Sequence, residues 1–145
     1  MTSDTVNQLI MRLLPAAPFS AEHFAALLGV PLRPGAANPA WQGYTFALPA
    51  GPFAGGELRV NTGGDGALLI LETRQPPGLS LADVDRAAWG PRRSVRPNPD
   101  LPPEGTVTET YQTDGAQVAV QWTLISRRLV SLALEWPIPE AAALT

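Results

Sequence analysis

The stretch TVTETYQTDGAQVAVQWT, residues 106–123, determines the fold class. Polar and apolar side chains alternate on both sides of Asp114-Gly115, which is the strongest short hairpin signal in the chain. A two-residue turn there pairs residue 113 with 116, 111 with 118, 109 with 120 and 107 with 122. The sequence therefore predicts two antiparallel strands, 106–112 and 116–124.

This register separates the hairpin side chains onto two faces. The apolar face is expected to join a core and carries Val107, Tyr111, Val118, Val120 and Trp122. The opposite face is uncharged and polar, with Thr106, Thr108, Thr110, Gln112, Gln117, Ala119, Gln121 and Thr123. Such a face is typical of a solvated antiparallel sheet, and it is also a candidate binding surface.

Outward from the hairpin, the hydrophobic period predicts further elements. Period two predicts strands at 41–48, 57–61, 67–73 and 129–136, with a glycine-rich turn at 63–66. Helical periodicity with capping and stop residues predicts helices at 4–14, 20–29 and 81–89. Proline and glycine predict loops at 31–40 and 91–105.

Two of these helices indicate an internal repeat. Ser20–Gly29 and Ser80–Gly90 share a serine cap, an acidic first turn, an apolar stripe and a closing glycine, and their caps lie 60 residues apart. Each helix is followed by a proline-rich loop and three predicted strands. The alternative is that these residues mark any capped helix.

The expected fold is therefore α+β. An N-terminal helix precedes two helix-loop-βββ units, which form an antiparallel sheet of about six strands with helices on one face. The length of 145 residues suits a single domain spanning 1–145. Its expected parts are an N-terminal helix and linker (1–19), a first unit (20–75), a second unit (76–137) and a C-terminal tail (138–145).

Two predicted helices have similar ends, and each is followed by predicted antiparallel strands. The ends are Leu27-Leu28-Gly29-Val30-Pro31 and Ala88-Trp89-Gly90-Pro91. The arrangement resembles the α/β module of the β-lactamase-inhibitor-protein-like fold, which also occurs in small outer-membrane assembly lipoproteins. It covers residues 20–136 in topology but only the helix ends in sequence. The chain is expected to lack the export signal of that family, and without cysteine it has neither a lipid-bearing cysteine nor disulfides. The resemblance implies a sheet with an open, protein-binding face.

Composition excludes several kinds of chemistry. The chain has no cysteine, one histidine (His23), ten basic residues that are all arginine, and a net charge of -3. Disulfides, thiolate nucleophiles and Cys/His zinc sites are excluded, and no cofactor is expected. An acidic chain is a poor candidate for nucleic acid, and no stretch approaches the roughly 20 apolar residues of a membrane span. We expect a cytoplasmic location.

Two clusters are candidates for function. Glu109 lies on the predicted apolar face, where it needs either an arginine partner or a raised pKa. A raised pKa would suggest a pocket near Glu109, Tyr111 and Trp122, whereas a one-residue slip or a strand bulge would turn Glu109 to water. The arginines Arg92, Arg93 and Arg96 form the densest positive cluster. They could bind an acidic protein partner or RNA, hydrate a loop, or pair internally with Asp83, Asp85 or Asp100.

The sequence favours a non-enzymatic protein-binding module of the immunity-protein, inhibitor or secretion-chaperone kind. It would act through its open sheet face or proline-rich loops, with candidate binding residues Arg92, Arg93, Arg96, Thr108, Thr110 and Gln121. The alternative is a small-ligand-binding or carboxylate-dependent enzyme domain with a pocket near Glu109. A homodimer through an edge strand such as 41–48 or 129–136 is a third hypothesis.

Overall fold

The computed structural model describes residues 2–75, 78–100, 102, 104–113 and 115–137. These residues form two α-helices, α1 (Thr2–Leu13) and α2 (Ala21–Leu28), and two short 3-10 turns, Leu81–Asp83 and Arg86–Trp89. The strands are β1 (Arg33–Ala37), β2 (Trp41–Ala47), β3 (Phe53–Asn61), β4 (Ala67–Thr73), β5 (Arg92–Asn98), β6 (Thr106–Thr113), β7 (Ala116–Thr123) and β8 (Leu129–Trp136). Asp114 of the predicted turn and the predicted tail, 138–145, lie outside the described residues.

All eight strands belong to one antiparallel sheet in the order β1-β2-β3-β4-β8-β7-β6-β5. The two halves of the chain each supply four consecutive strands, and they meet where β4 pairs with β8. The predicted fold class was therefore wrong. The molecule is mostly an eight-stranded sheet with two short α-helices, not an α+β domain of about six strands with helices on one face.

Both additional strands lie where proline and glycine predicted loops. β1 contains Pro34 and β5 contains Pro97, and these two strands are the edges of the sheet. Proline has no N–H to donate to a ladder, but an edge strand has one side without a neighbour, so proline is tolerated there. The prediction of loops at 31–40 and 91–105 was therefore wrong where β1 and β5 form, because proline does not exclude an edge strand.

The predicted helix 81–89 is also absent, and the chain at its expected start is bonded to the final hairpin. Ser80 forms an isolated bridge with Arg128, and the N–H of Leu81 donates to the carbonyl of Arg127 at 2.8 Å. The backbone of Val84 is extended, which separates the two 3-10 turns. Leu81, Val84 and Trp89 are nevertheless buried, so the apolar pattern is satisfied without an α-helix.

The hairpin register is confirmed. Residues 113, 111, 109 and 107 pair with 116, 118, 120 and 122, and Gly115 takes a positive φ of 76° in the turn. The first two helices are also confirmed to within about two residues. Ser20 caps α2 by accepting a 3.2 Å hydrogen bond from the backbone N–H of His23.

The strands predicted as dimerisation edges lie inside the sheet. β2, which covers 41–47, runs between β1 and β3, and β8, which covers 129–136, runs between β4 and β7. Both sides of each strand are therefore occupied by neighbouring strands. Neither strand can pair with a second copy, so this route to a homodimer was wrong.

The core combines one face of the sheet with α1, α2 and the segment 79–89. Two tryptophans attach α1 to it. The indole N–H of Trp89 donates to Oδ1 of Asn7 at 3.1 Å, and that of Trp136 donates to the carbonyl of Leu14 at 2.8 Å. The second half of the chain therefore holds α1 and the residue that follows it, through Trp89 before β5 and Trp136 in β8.

Replacing a central core leucine should destabilise the whole molecule. Leu132 is fully buried, so Leu132→Ala should lower the free energy of unfolding in urea by about 2–5 kcal/mol, through lost burial and the cavity left behind. Val130 is 37% exposed on the same strand and provides a matched control. Val130→Ala should cost less than about 1 kcal/mol, and equal losses in the two variants would contradict the packing described.

Candidate functional site

The carboxylate of Glu109 lies on the core side of β6 and has three partners. Glu109 is 3% exposed. Its Oε1 accepts hydrogen bonds from Nη1 of Arg86 and, at 3.0 Å, from the hydroxyl of Tyr111, while its Oε2 accepts from Nη1 of Arg92 at 3.1 Å. Glu109 was expected to have either an arginine partner or a raised pKa. The structure shows two arginine partners, Arg86 and Arg92.

These partners come from three different elements. Arg86 lies in the second 3-10 turn, Arg92 begins the edge strand β5, and Tyr111 lies opposite Arg92 on β6. Trp89 packs edge-on against Tyr111, with ring centroids 5.6 Å apart and an interplanar angle of 80°. The Glu109 cluster therefore attaches the segment before β5 to the sheet.

The cluster favours the charged forms of Glu109 and Arg86 and the neutral form of Tyr111. Burial alone would raise the pKa of Glu109, but hydrogen bonds from Arg86 and Tyr111, the charge of Arg86 and the bond from Arg92 outweigh it and lower the pKa. Burial and the bond to Glu109 raise the pKa of Tyr111. Although burial opposes it, the same carboxylate raises the pKa of Arg86. Glu109 is thus held ionised, which is unlike a carboxylic acid prepared to donate a proton.

The three residues of the predicted pocket are not brought together around one cavity. A shallow depression of about 580 Å³ beside the Glu109 cluster is lined by Tyr111 but not by Glu109 or Trp122. Trp122 lies opposite Val107 on the neighbouring strand. Its indole nitrogen is buried and has no hydrogen-bond partner within the described part of the chain.

The predicted arginine cluster is divided by the sheet. Arg92 binds Glu109 on the core side. Arg93 reaches the opposite face, where its Nη1 donates to Oε1 of Gln117 at 3.1 Å. Arg96 lies opposite Thr108 on the edge strand. The three side chains therefore do not form one continuous positive patch.

The second face of the sheet, which we call the open face, carries the predicted polar residues. Thr108, Thr110 and Gln121 are half-buried there. The hydroxyls of Thr110 and Ser94 lie 2.6 Å apart, and Nε2 of Gln121 donates to Oγ1 of Thr106 at 3.3 Å. These cross-strand contacts place the candidate residues in one polar band over β5, β6 and β7.

An apolar strip crosses the middle of the open face beside that band. The strip consists of four half-buried residues on β4, β8 and β7, namely Leu68, Ile70, Ala133 and Ala119. The sequence did not reveal this strip, because the continuous apolar run of β4 places apolar side chains on both faces of the sheet. The sequence also did not show which strands lie beside β4. The open face is therefore mixed, with an apolar centre and polar sides.

A groove lies at the β1–β2 end of the open face and has a volume of about 370 Å³. One cross-strand row runs through it, from Gly43 on β2 to Arg59, Leu68 and Glu135 on the next three strands. The β1–β2 hairpin forms a wall with residues 35–38 and Trp41. The groove thus combines residues from both halves of the chain, so sequence reasoning missed it.

Glu135 differs from Glu109 in its surroundings. It is half-buried in the groove, and within the described residues no hydrogen bond or ion pair reaches its carboxylate. Burial raises its pKa. The nearby Arg59 is engaged with Glu57, with Nη2 and Oε2 3.7 Å apart. The groove therefore contains one carboxylate without a counter-charge from the described chain.

No helix in the described ranges is both long enough and apolar enough to span a bilayer. The same residues contain no group of three or more histidine, aspartate or glutamate side chains placed to hold a metal ion. Comparison with protein families, curated proteins and solved structures finds no match.

Removing the charge of Glu109 should destabilise the protein in a pH-dependent manner. Glu109→Gln leaves two arginines without their carboxylate and should lower the free energy of unfolding by about 1–3 kcal/mol at pH 7. Because the folded-state pKa of Glu109 lies below its ordinary 4.5, the wild-type advantage is complete above that value and fades as the pH falls through the lower folded-state pKa. Urea titrations at several pH values measure this. A constant difference between pH 7 and pH 3 would contradict it.

The opposite sign is expected for Glu135. Because burial raises its folded-state pKa, the charged form is unfavourable in the folded protein at neutral pH. Glu135→Gln should therefore be at least as stable as the wild type at pH 7, and the difference should fade as the pH falls through the raised folded-state pKa and vanish below the ordinary value of 4.5. The exposed Glu72, also on the open face, provides the control Glu72→Gln. A marked loss of stability for Glu135→Gln at pH 7 would show an unseen partner.

Proposed function

We propose that the chain is a non-enzymatic protein-binding domain and that the open face of its sheet is the contact surface. The observation that carries the proposal is the apolar strip, Leu68, Ile70, Ala119 and Ala133, lying half-buried between polar residues. An apolar centre with a polar surround is the usual composition of a protein interface. A sheet face exposed only to water needs no such strip.

The edges of the sheet are less suited to binding than its open face. A partner strand added to an edge needs a row of free N–H and C=O groups. Pro34 in β1 and Pro97 in β5 each remove an N–H, and charged side chains accompany them on both edges. We therefore assign binding to the open face and not to strand addition.

The arginine cluster and the proline-rich segments are weaker candidates for the contact surface. Arg92 is held by Glu109, and Arg93 by Gln117. Much of the supposed proline-rich loop is the strand β5. Thr108, Thr110 and Gln121 remain in the proposed surface, as the polar side of the apolar strip.

The alternative of a carboxylate-dependent enzyme or small-ligand domain depended on a raised pKa at Glu109. That pKa is lowered, and both oxygens of the carboxylate have protein donors. The observations on this residue therefore favour a structural role.

The partner we propose is a protein that presents a basic group to the groove end of the open face. The chain carries a net charge of -3, and the groove contributes Glu57 and Glu135 against a single Arg59. Opposite charge steers association and disfavours wrong partners. Immunity proteins, inhibitors and secretion chaperones have this kind of activity, and we place the domain among them in the cytoplasm, with neither nucleic acid nor membrane as its partner.

A bulky charge in the centre of the open face should abolish partner binding. Ala133→Arg inserts a guanidinium into the apolar strip, whereas Met11→Arg places one on α1 at a site that is 67% exposed. Both purified variants should keep the wild-type circular dichroism spectrum. In pull-downs from the native host, the proteins recovered by the wild type and by Met11→Arg should be lost with Ala133→Arg.

Two outcomes would overturn this proposal. One is that Ala133→Arg recovers the same proteins as the wild type, and the other is that the wild type recovers none above an unrelated acidic protein. If Ala133→Arg unfolds, Thr110→Arg tests the polar band of the same face at a half-buried position. Retained binding by a folded Thr110→Arg would then count against the open face.

A further inference from the structure

The open face contains the groove between the β1–β2 hairpin and Glu135. We propose that the groove between the β1–β2 hairpin and Glu135 binds an arginine or lysine side chain of the partner protein. This inference rests on the proposed function, which it makes more specific. It identifies Glu135 as the group that binds the cation.

The geometry of the groove suits a side chain that enters from the partner. Strands β2, β3, β4 and β8 form its floor, and the β1–β2 hairpin forms a wall at one side. Gly43 allows this hairpin to approach closely, because a Cβ at that position would lie 2.9 Å from the carbonyl oxygen of Ala36. The volume of about 370 Å³ is at the small end of the range found for ligand pockets, about 300–1,000 Å³.

The charges of the groove select a cation. Glu57 already has Arg59 beside it, so among the described residues that line the groove Glu135 is the carboxylate whose charge lacks compensation. Burial removes water from Glu135 without supplying a donor from the described chain, and this is unfavourable for the charged form. A guanidinium or ammonium group from a partner would supply the missing donor and charge.

The apolar lining of the groove suits the rest of such a side chain. Trp41 and Leu68 line it together with the carboxylates. Arginine and lysine carry an aliphatic stem that packs on apolar surface while the charged end stays with polar groups. A purely apolar side chain would cover Glu135 without a donor, and an anion would be repelled by it.

Capped pentapeptides provide a direct test on the full-length chain. One carries arginine between pairs of glycines, a second carries lysine, and a third carries norleucine, which has a similar aliphatic stem and no charge. In ¹H–¹⁵N NMR titrations, the arginine and lysine peptides should shift the indole resonance of Trp41 and the amide of Glu135. The norleucine peptide should shift neither.

Charge-removing variants assign the effect to one carboxylate. Glu135→Gln should weaken binding of the arginine peptide by about tenfold, since a hydrogen bond between charged groups is lost. Glu72→Gln removes the same charge from an exposed site on the same face, outside the groove lining, and should leave binding within about twofold of the wild type. Equal weakening by the two variants would indicate general electrostatic attraction and would overturn the inference, as would shifts remote from the groove.

The outcomes separate this inference from the proposed function. If Ala133→Arg abolishes recovery of the native partner while Glu135→Gln leaves both that partner and peptide binding unchanged, the open face binds protein but the cation site is wrong. If Ala133→Arg leaves the native partner bound, the proposed function is wrong. Preference for the arginine over the lysine peptide would indicate paired hydrogen bonds from a guanidinium.

Discussion

The pairing of β4 with β8 is the constraint on which the rest of the molecule depends. Each half of the chain supplies four consecutive strands, and this ladder joins them into one sheet. Leu69 faces Leu134 across it, Leu71 faces Leu132, and all four side chains are fully buried. Without this ladder, each half would leave a long apolar strand as an exposed edge. The helices could not cover a common core, and the groove would lose Glu135.

Two carboxylates on this sheet illustrate how local surroundings decide the role of the same chemical group. Glu109 is more deeply buried, yet two arginines and a tyrosine hold it ionised, so its charge stabilises the fold. Glu135 is only half-buried, but it gains no donor from the described chain and its pKa rises. The first is a completed internal contact, whereas the second lacks the donor that a partner could provide.

The extent to which the sequence predicted the structure depended on how local the interactions were. The β6–β7 hairpin, α1 and α2 follow from alternation, caps and turn residues within short stretches, and they were predicted correctly. β1 and β5 were missed because composition could not show that Pro34 and Pro97 would occupy sheet edges. Two 3-10 turns stand where a helix was expected, because the backbone of Val84 is extended between them, and the segment 79–81 before them bonds to a distant hairpin at 127–129.

By itself, the sequence determined which chemistries are absent, where the central hairpin turns and that Glu109 would need an arginine partner if it stayed ionised. Tertiary structure alone decided that Arg86 and Arg92 are those partners. It also placed Trp41, Arg59 and Glu135 around one groove. The reason is physical: residues far apart in the chain become neighbours only when strand order is set, and strand order depends on burying the apolar faces of both halves together.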